Sequence, residues 1–132
     1  MNTLIRLLKE NTELTGYRVA ETKVTTYELF FVRQKLETVR ATDTVQTAAT
    51  VYIDHDGKTG DSTFTVYASM TPEEIRAGIR TAASRARLVN NEPYTLPEGG
   101  VLNEAIPSDL ADEDPKVLAA RIADAVFAAE TG

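Results

Sequence analysis

The 132-residue chain contains no cysteine and a single histidine. The absence of cysteine excludes disulfides, Cys-ligated zinc or iron–sulfur sites and thiol nucleophiles. One imidazole also excludes a multi-histidine metal centre built from this chain alone. No apolar run approaches the roughly 18 residues of a membrane helix, and the N-terminal residues lack the apolar block of a secretory signal. We therefore predict a cytoplasmic protein with no membrane segment.

The residues that are present fit one globular domain. Hydrophobic residues make up 42% of the chain, too many for a fully disordered protein. At roughly 150 residues per domain, the length predicts a single domain over residues 1–132. Acidic residues outnumber basic ones by 20 to 14, and residues 89–132 alone hold nine acidic and two basic residues. This balance, with a pI of about 4.8, disfavours nucleic acid as a partner.

Two short helices are predicted near the ends of the chain. Residues 2–10 have amphipathic periodicity, with Asn2 or Thr3 as the cap. Asp114 and Pro115 open the second of these helices, since an aspartate followed by proline is typical of a helix start. The predicted apolar sides are Leu4, Ile5, Leu7 and Leu8 in one helix and Val117, Leu118, Ile122, Val126 and Phe127 in the other.

A longer helix is predicted from Thr71. Thr71 is the cap, Pro72 takes the first helical position, where its missing N–H costs nothing, and Glu74 completes a capping box. Apolar residues then recur at spacings of three and four, which predicts a narrow seam against a neighbouring sheet. The seam consists of Ile75, Ile79, Ala82, Ala86 and Val89.

Residues 17–68 have the composition of strands, being rich in β-branched and aromatic residues without proline. Residues 45–53 alternate cleanly, whereas a phase slip indicates a bulge or turn near Gln34–Leu36. Asp56 and Gly57 are typical of a hairpin turn that needs positive φ at both central residues. The pattern predicts an α+β fold, an antiparallel β-meander with helices packed on one face. We expect Ile75, Ile79, Val51, Ile53 and Phe64 to be buried and Arg76, Arg80, Asp56 and Lys58 to be exposed.

Two further expectations concern the C-terminal part of the chain. Residues 91–113 hold three prolines and two glycines among scattered apolar residues, which predicts an extended segment on the domain surface. The apolar pattern of the last helix continues almost to the end of the sequence. We therefore expect a fragment of a longer protein, with Val126 and Phe127 incompletely covered. Such a patch favours at most a weak dimer that tightens with salt, because the acidic C-terminal third opposes association.

The cluster Asp54-His55-Asp56-Gly57, with Asp61 nearby, is the first candidate for metal or catalytic chemistry. A calcium loop needs glycine at its sixth position and glutamate at its twelfth, and this segment has neither. His55 lacks a hydroxyl or carboxylate partner at a fixed spacing. We therefore interpret the cluster as a solvated hairpin tip.

Three arginines on one side of the long helix are the second candidate. Arg76, Arg80 and Arg87 are spaced to meet phosphate, but the chain is acidic and offers no interleaved aromatic platform. A solvated helix face that pairs with the acidic C-terminal segment is the better interpretation. The sequence also lacks a Gly-rich phosphate loop, a GxSxG elbow and an HExxH helix. No catalytic, cofactor-binding or metal-binding residue is assigned.

The order of parts carries more information than any single motif. The strand Tyr27–Val32 is followed by the hairpin Asp56–Gly60, the helix start Thr71–Glu74 with alanines behind it, and the exit Glu92–Pro97. This order resembles the N-terminal domain of the TldD/PmbA family, the "modulator of DNA gyrase" metallopeptidases. The final helix, Ala119–Val126, is similar to the start of that family's next segment.

The resemblance implies a non-catalytic role for this chain. In that family the zinc-binding HExxH helix belongs to a C-terminal domain, and no part of it occurs in this sequence. The resemblance therefore implies the N-terminal portion of a zinc-dependent peptidase, with zinc expected only in the C-terminal domain. The implied partners are peptide or protein: the C-terminal domain, a homologous subunit and unfolded substrate.

Two functions remain open from the sequence. One is a domain that serves in assembly or guides peptide substrate, since an exposed sheet edge can receive an extended peptide. The alternative is a stand-alone α+β protein-interaction domain without a peptidase connection.

Overall fold

The computed structural model describes residues 1–130 of the chain. Three strands form one antiparallel sheet in the order β1-β2-β3, and three α-helices accompany it, so the predicted α+β meander is confirmed. No helix among residues 1–130 is long and apolar enough to cross a membrane. The elements in chain order are α1 (Asn2–Glu10), β1 (Gly16–Val32), β2 (Lys35–His55), β3 (Lys58–Val66), α2 (Pro72–Ala86) and α3 (Pro115–Phe127), with single 3-10 turns at Leu110–Asp112 and Ala128–Glu130.

The chain divides into two units. Strands β1 and β2 each contribute residues to both units. Unit 1 comprises Met1–Lys23 and Val45–Gly99, and unit 2 comprises Val24–Thr44 and the described residues from Gly100 onward. Unit 1 contains α1, α2, β3 and parts of β1 and β2. Unit 2 contains the remaining parts of these two strands together with α3. The assignment of one domain to residues 1–132 stays a prediction.

Two tight turns join the three strands. Arg33 and Gln34 have φ angles of 49° and 64°, and Asp56 and Gly57 have φ angles of 48° and 72°. Positive φ at both central residues matches the right-handed twist of the flanking strands, which is why such turns join hairpins. Both turns confirm the sequence prediction. β2 and β3 pair from His55 opposite Lys58 to Thr47 opposite Val66.

The core of unit 1 lies between one face of the sheet and the helices α1 and α2. Alternate residues of β2, namely Ala49, Val51 and Ile53, point to this face and are almost fully buried. Ile75 and Ile79 of α2 are buried against them, as expected. The remaining buried members are Leu4, Leu7 and Leu8 of α1 and Ala82, Ala83 and Ala86 of α2.

Three of the expected exposures differ from the prediction. Phe64 is half-buried instead of buried, because β3 is an edge strand and its ring packs at the rim of the core beside Gly78. Arg76 and Lys58 are half-buried instead of exposed, because each forms ion pairs across the surface. Arg80 and Asp56 are exposed, as predicted.

The two helices of unit 1 start differently. In α2 the full capping box is present, with the Thr71 hydroxyl accepting from the Glu74 N–H and the Glu74 carboxylate accepting from the Thr71 N–H. The cap predicted for α1 at Asn2 or Thr3 is wrong. Helical hydrogen bonding begins one residue earlier, since the Ile5 N–H donates to the Met1 carbonyl, and no side chain caps the helix.

The segment after α2 covers the opposite face of the sheet in unit 1. Asn91 forms a two-hydrogen-bond bridge with Thr59 at the edge of β3. The Tyr94 ring then meets the Tyr52 ring at 6.1 Å, edge to face. Leu96 approaches Gly16 so closely that an added Cβ there would lie 2.4 Å from its Cδ1 atom. Residues 92–108 form neither helix nor strand.

Helix α3 packs on β1 within unit 2. Asp114 caps it by accepting from the Lys116 N–H at 2.9 Å, as the sequence predicted. The predicted apolar side is partly wrong, because Val117 is more than half exposed whereas Ala119 is buried. Val126 is 53% exposed, which agrees with the expectation that it is incompletely covered. Thr131 and Gly132, at the end of the last predicted apolar pattern, lie outside the described residues.

Candidate functional site

His55 is held at the hairpin tip by a structural hydrogen bond. Its Nε2 atom lies 2.8 Å from the carbonyl oxygen of Val89, so the ring donates to the chain leaving α2. The other ring nitrogen, Nδ1, lies 3.9 Å from the Asp56 carboxylate. With Nε2 engaged by a carbonyl and the side chain 17% exposed, the imidazole fastens the hairpin to the segment after α2.

The carboxylates around His55 do not share a partner. Asp54 accepts from the Thr59 hydroxyl at 2.8 Å, and Asp61 accepts from the Asn91 side-chain amide at 2.7 Å. Asp56 occupies the exposed turn. Among residues 1–130, no group of three His, Cys, Asp or Glu side chains is arranged to hold a metal ion. The residues present therefore do not fit a catalytic zinc, which needs three protein ligands.

A groove of about 520 Å³ lies beside this tip, between the hairpin and residues 93–95. Lys58 and Glu92 form an ion pair of 2.5 Å at its side. Partial burial of the phenol, and then the charge of Asp61, raise the pKa of Tyr94. A tyrosine with a raised pKa stays protonated near neutral pH, so Tyr94 does not supply a base to the groove.

The arginine face of α2 pairs within unit 1. Arg76 contacts Glu73 at 2.5 Å and Glu10 of α1 at 3.8 Å, and Arg87 contacts Glu13 at 2.9 Å. The sequence suggested the acidic C-terminal segment as the partner, and that interpretation is wrong for these two residues. Carboxylates in and just after α1 are closer because α1 packs beside α2.

Unit 2 presents two strand edges without a neighbouring strand. β3 stops pairing at Thr47, so residues 35–44 of β2 have β1 as their one partner strand. β1 is itself an edge strand. Within residues 1–130, no backbone hydrogen bond joins β1 or β2 of unit 2 to any further segment. Both outer edges therefore offer free N–H and C=O groups.

The two faces of this strand pair differ. Val24, Phe30 and Val32 lie on one face of β1 and are 43–49% exposed. Tyr27 and Leu29 lie on the opposite face. They line a pocket of about 580 Å³ whose other wall is formed by the 3-10 turn at Leu110–Asp112 and by α3. Cross-strand pairs stabilise the ribbon, namely Thr25 with Asp43, Thr26 with Thr42 and Glu28 with Arg40.

Sequence reasoning found the strands of this site but missed the pocket. The alternation of Tyr27, Leu29 and Phe31 was a usable signal, because Phe30 and Val32 between them are also apolar. A strand that is apolar on both sides is typical of a strand whose two faces both contact other groups. No comparable signal in the sequence predicts where β3 ends and therefore which part of the β2 edge stays unpaired.

No family model and no curated protein matches this chain. Among solved structures, the chain is similar to TldE from Thermococcus kodakarensis. The two share 20% sequence identity with a TM-score of 0.41, and the match covers 89% of this chain and 26% of that one. This chain therefore spans about a quarter of the length of that protein.

Proposed function

We propose that this chain is a non-catalytic domain of a TldD/PmbA-type protein and that its unit 2 strands bind extended polypeptide. The order of motifs from Tyr27 to Val126 supports the family assignment. The bound polypeptide is either unfolded substrate on its way to a zinc-dependent peptidase domain or a strand of a homologous subunit. Zinc and the catalytic residues belong to another part of such a protein, which acts in the cytoplasm.

The open strand edges of unit 2 carry this proposal. An extended peptide that adds to a sheet edge forms main-chain hydrogen bonds whatever its sequence, which suits the capture of unfolded chains. Residues 35–44 of β2 are exposed except for the half-buried Thr42, so a peptide meets no covering element there. Natural proteins usually shield such edges, because an open edge invites aggregation. An edge left open over this length favours a binding role.

Binding of short unstructured peptides tests the proposal. A labelled nine-residue peptide should raise the fluorescence anisotropy of the probe when the full chain is added. The same peptide with N-methyl groups on alternate amides should bind at least tenfold more weakly, since it keeps its side chains but loses the ladder donors. Equal affinity of the two peptides would contradict strand addition.

A stand-alone interaction domain would present the same edges, so peptide binding alone does not distinguish it. The coding sequence after residue 132 distinguishes the two alternatives. An open frame that continues to an HExxH helix supports the peptidase connection, and a stop codon directly after Gly132 supports the stand-alone alternative.

A further inference from the structure

The pocket of unit 2 lies over the edge strand of the ribbon. Its strand wall consists of Thr25, Tyr27 and Leu29, which are alternate residues of β1, and no residue of β2 lines it. A pocket centred on the sheet would be lined by both strands. A peptide added to the outer edge of β1 would run about 4.8 Å from that strand and direct alternate side chains to the same face. One of these side chains would enter the pocket.

The walls of the pocket suit an apolar side chain. Among its lining residues Leu29 and Leu118 are half-buried, and Tyr27, Leu110 and Ile122 are more exposed. Its volume of about 580 Å³ lies within the range of pockets that bind small groups. Three polar side chains at its wall are already engaged: Thr25 donates to Asp43, Ser108 accepts from the Leu110 N–H, and Glu113 pairs with Arg121. A polar guest would therefore find few free partners.

Residues 109–114, here called the rim, supply Leu110 and Glu113 to the pocket wall and are negatively charged. Residues 109–114 hold four carboxylates and no basic residue. Arg121 neutralises Glu113 at 2.6 Å, and Asp114 accepts from a backbone N–H. Among the described residues, Asp109 and Asp112 have no ion pair, so their charges face solvent uncompensated. A rim of this sign attracts lysine or arginine and repels glutamate or aspartate.

We propose that the β1 edge of unit 2 selects extended peptides that carry a large apolar side chain flanked by basic residues. The apolar side chain fills the pocket beside Tyr27 and Leu29, the flanking basic residues meet Asp109 and Asp112, and the peptide backbone pairs with β1. This inference rests on the proposed peptide binding and adds the sequence preference. In strand-addition complexes the main chain supplies affinity, and pockets for alternate side chains supply specificity.

Three labelled peptides and the full chain test the preference. The reference peptide alternates threonine with lysine and has leucine at its centre. Replacing the central leucine by alanine should weaken binding about tenfold, the effect of exposing one buried leucine side chain. Replacing the lysines by glutamates should weaken binding about fivefold at low ionic strength, and added salt should reduce that difference.

Matched protein variants locate the effect. Leu110→Trp should fill the pocket and remove the preference for leucine over alanine, whereas Leu102→Trp, on an 86% exposed residue outside the pocket, should keep it. Asp109→Asn with Asp112→Asn should remove the preference for lysine, and Glu104→Gln with Asp124→Asn should not. If peptides bind but neither Leu110→Trp nor the double substitution of Asp109 and Asp112 changes the preferences, the pocket assignment is wrong while peptide binding stands. If no peptide binds the chain, the proposed function itself fails.

Discussion

Unit 1 and unit 2 use the same two strands but cover them to different extents. In unit 1, β2 lies between β1 and β3, and Ala49 and Val51 have no exposed surface. In unit 2, the same strand has one neighbour, and its Leu36 and Val39 are 37% and 39% exposed. One strand thus forms a core in one part of the molecule and an accessible backbone in the other. The difference follows from where β3 ends.

The tightest contact of unit 1 should give the largest effect. A Cβ added at Gly60 would lie 1.7 Å from the Ala86 carbonyl oxygen, a backbone atom that cannot move aside. Gly60→Ala should therefore lower the free energy of unfolding by about 3 kcal/mol or more, measured by urea denaturation. Gly99→Ala is the matched control, because nothing lies within 4 Å of its added Cβ. Equal stability of both variants would show that β3 and α2 pack less closely than described.

The next comparison truncates one isoleucine to alanine in each unit. Ile79→Ala should cost on the order of 2–4 kcal/mol, because the side chain is 2% exposed in the core and leaves a cavity. Ile122→Ala in unit 2 should cost less than about 1 kcal/mol, since that side chain is 37% exposed beside an open pocket. Denaturation curves of both variants provide the measurement. A loss below about half a kcal/mol for Ile79→Ala would mean that α2 packs by another face.

Hydrogen exchange compares the two halves of one strand directly. Amides of β2 in residues 48–53 should exchange through the opening of the whole unit, because β1 and β3 pair with both sides of this half. Amides in residues 36–44 should exchange at least tenfold faster, since this half has one partner strand and no helix-covered core. Equal protection along β2 would remove the difference between the units.

The smallest expected effect is at Tyr94. Partial burial, and then the charge of Asp61, raise the pKa of this tyrosine above its ordinary value near 10. The folded state thus holds the phenol proton more tightly than the unfolded state. Its contribution to stability is complete below pH 10 and is lost as pH rises through the raised pKa. The stability of the chain relative to Tyr94→Phe should therefore fall above pH 10, and an unchanged difference up to pH 11 would contradict the partial burial of this phenol.

Local signals made much of unit 1 predictable. The Thr71 capping box and the Asp56-Gly57 turn depend on a few neighbouring residues, so the sequence contains their whole cause. The exposure of Val117 and the burial of Ala119 depend on which side of α3 packs within unit 2, which periodicity does not encode. For the same reason Arg76 was assigned the wrong partner: the position of Glu10 follows from the packing of α1 on α2.

The sequence predicted that the candidate site is an open strand edge, but it did not predict which part of the sheet provides that edge. An exposed edge follows from any open meander, and the sequence indicated that meander through its turns and alternation. The stretch of edge that is free depends on the end of β3 at Val66. The pocket over Tyr27 depends on the distant residues Leu110 and Leu118, which the fold brings to the same strand.

The central claim is that extended peptide pairs with the β1 edge of unit 2. The most direct measurement is residue-resolved amide hydrogen exchange of the full chain with and without the lysine–leucine peptide. We predict that amides of residues 24–32 in β1 gain protection, whereas those of residues 48–53 in β2 and of β3 do not change. Protection confined to the groove beside His55 and Tyr94, or to the arginine face of α2, would contradict the claim.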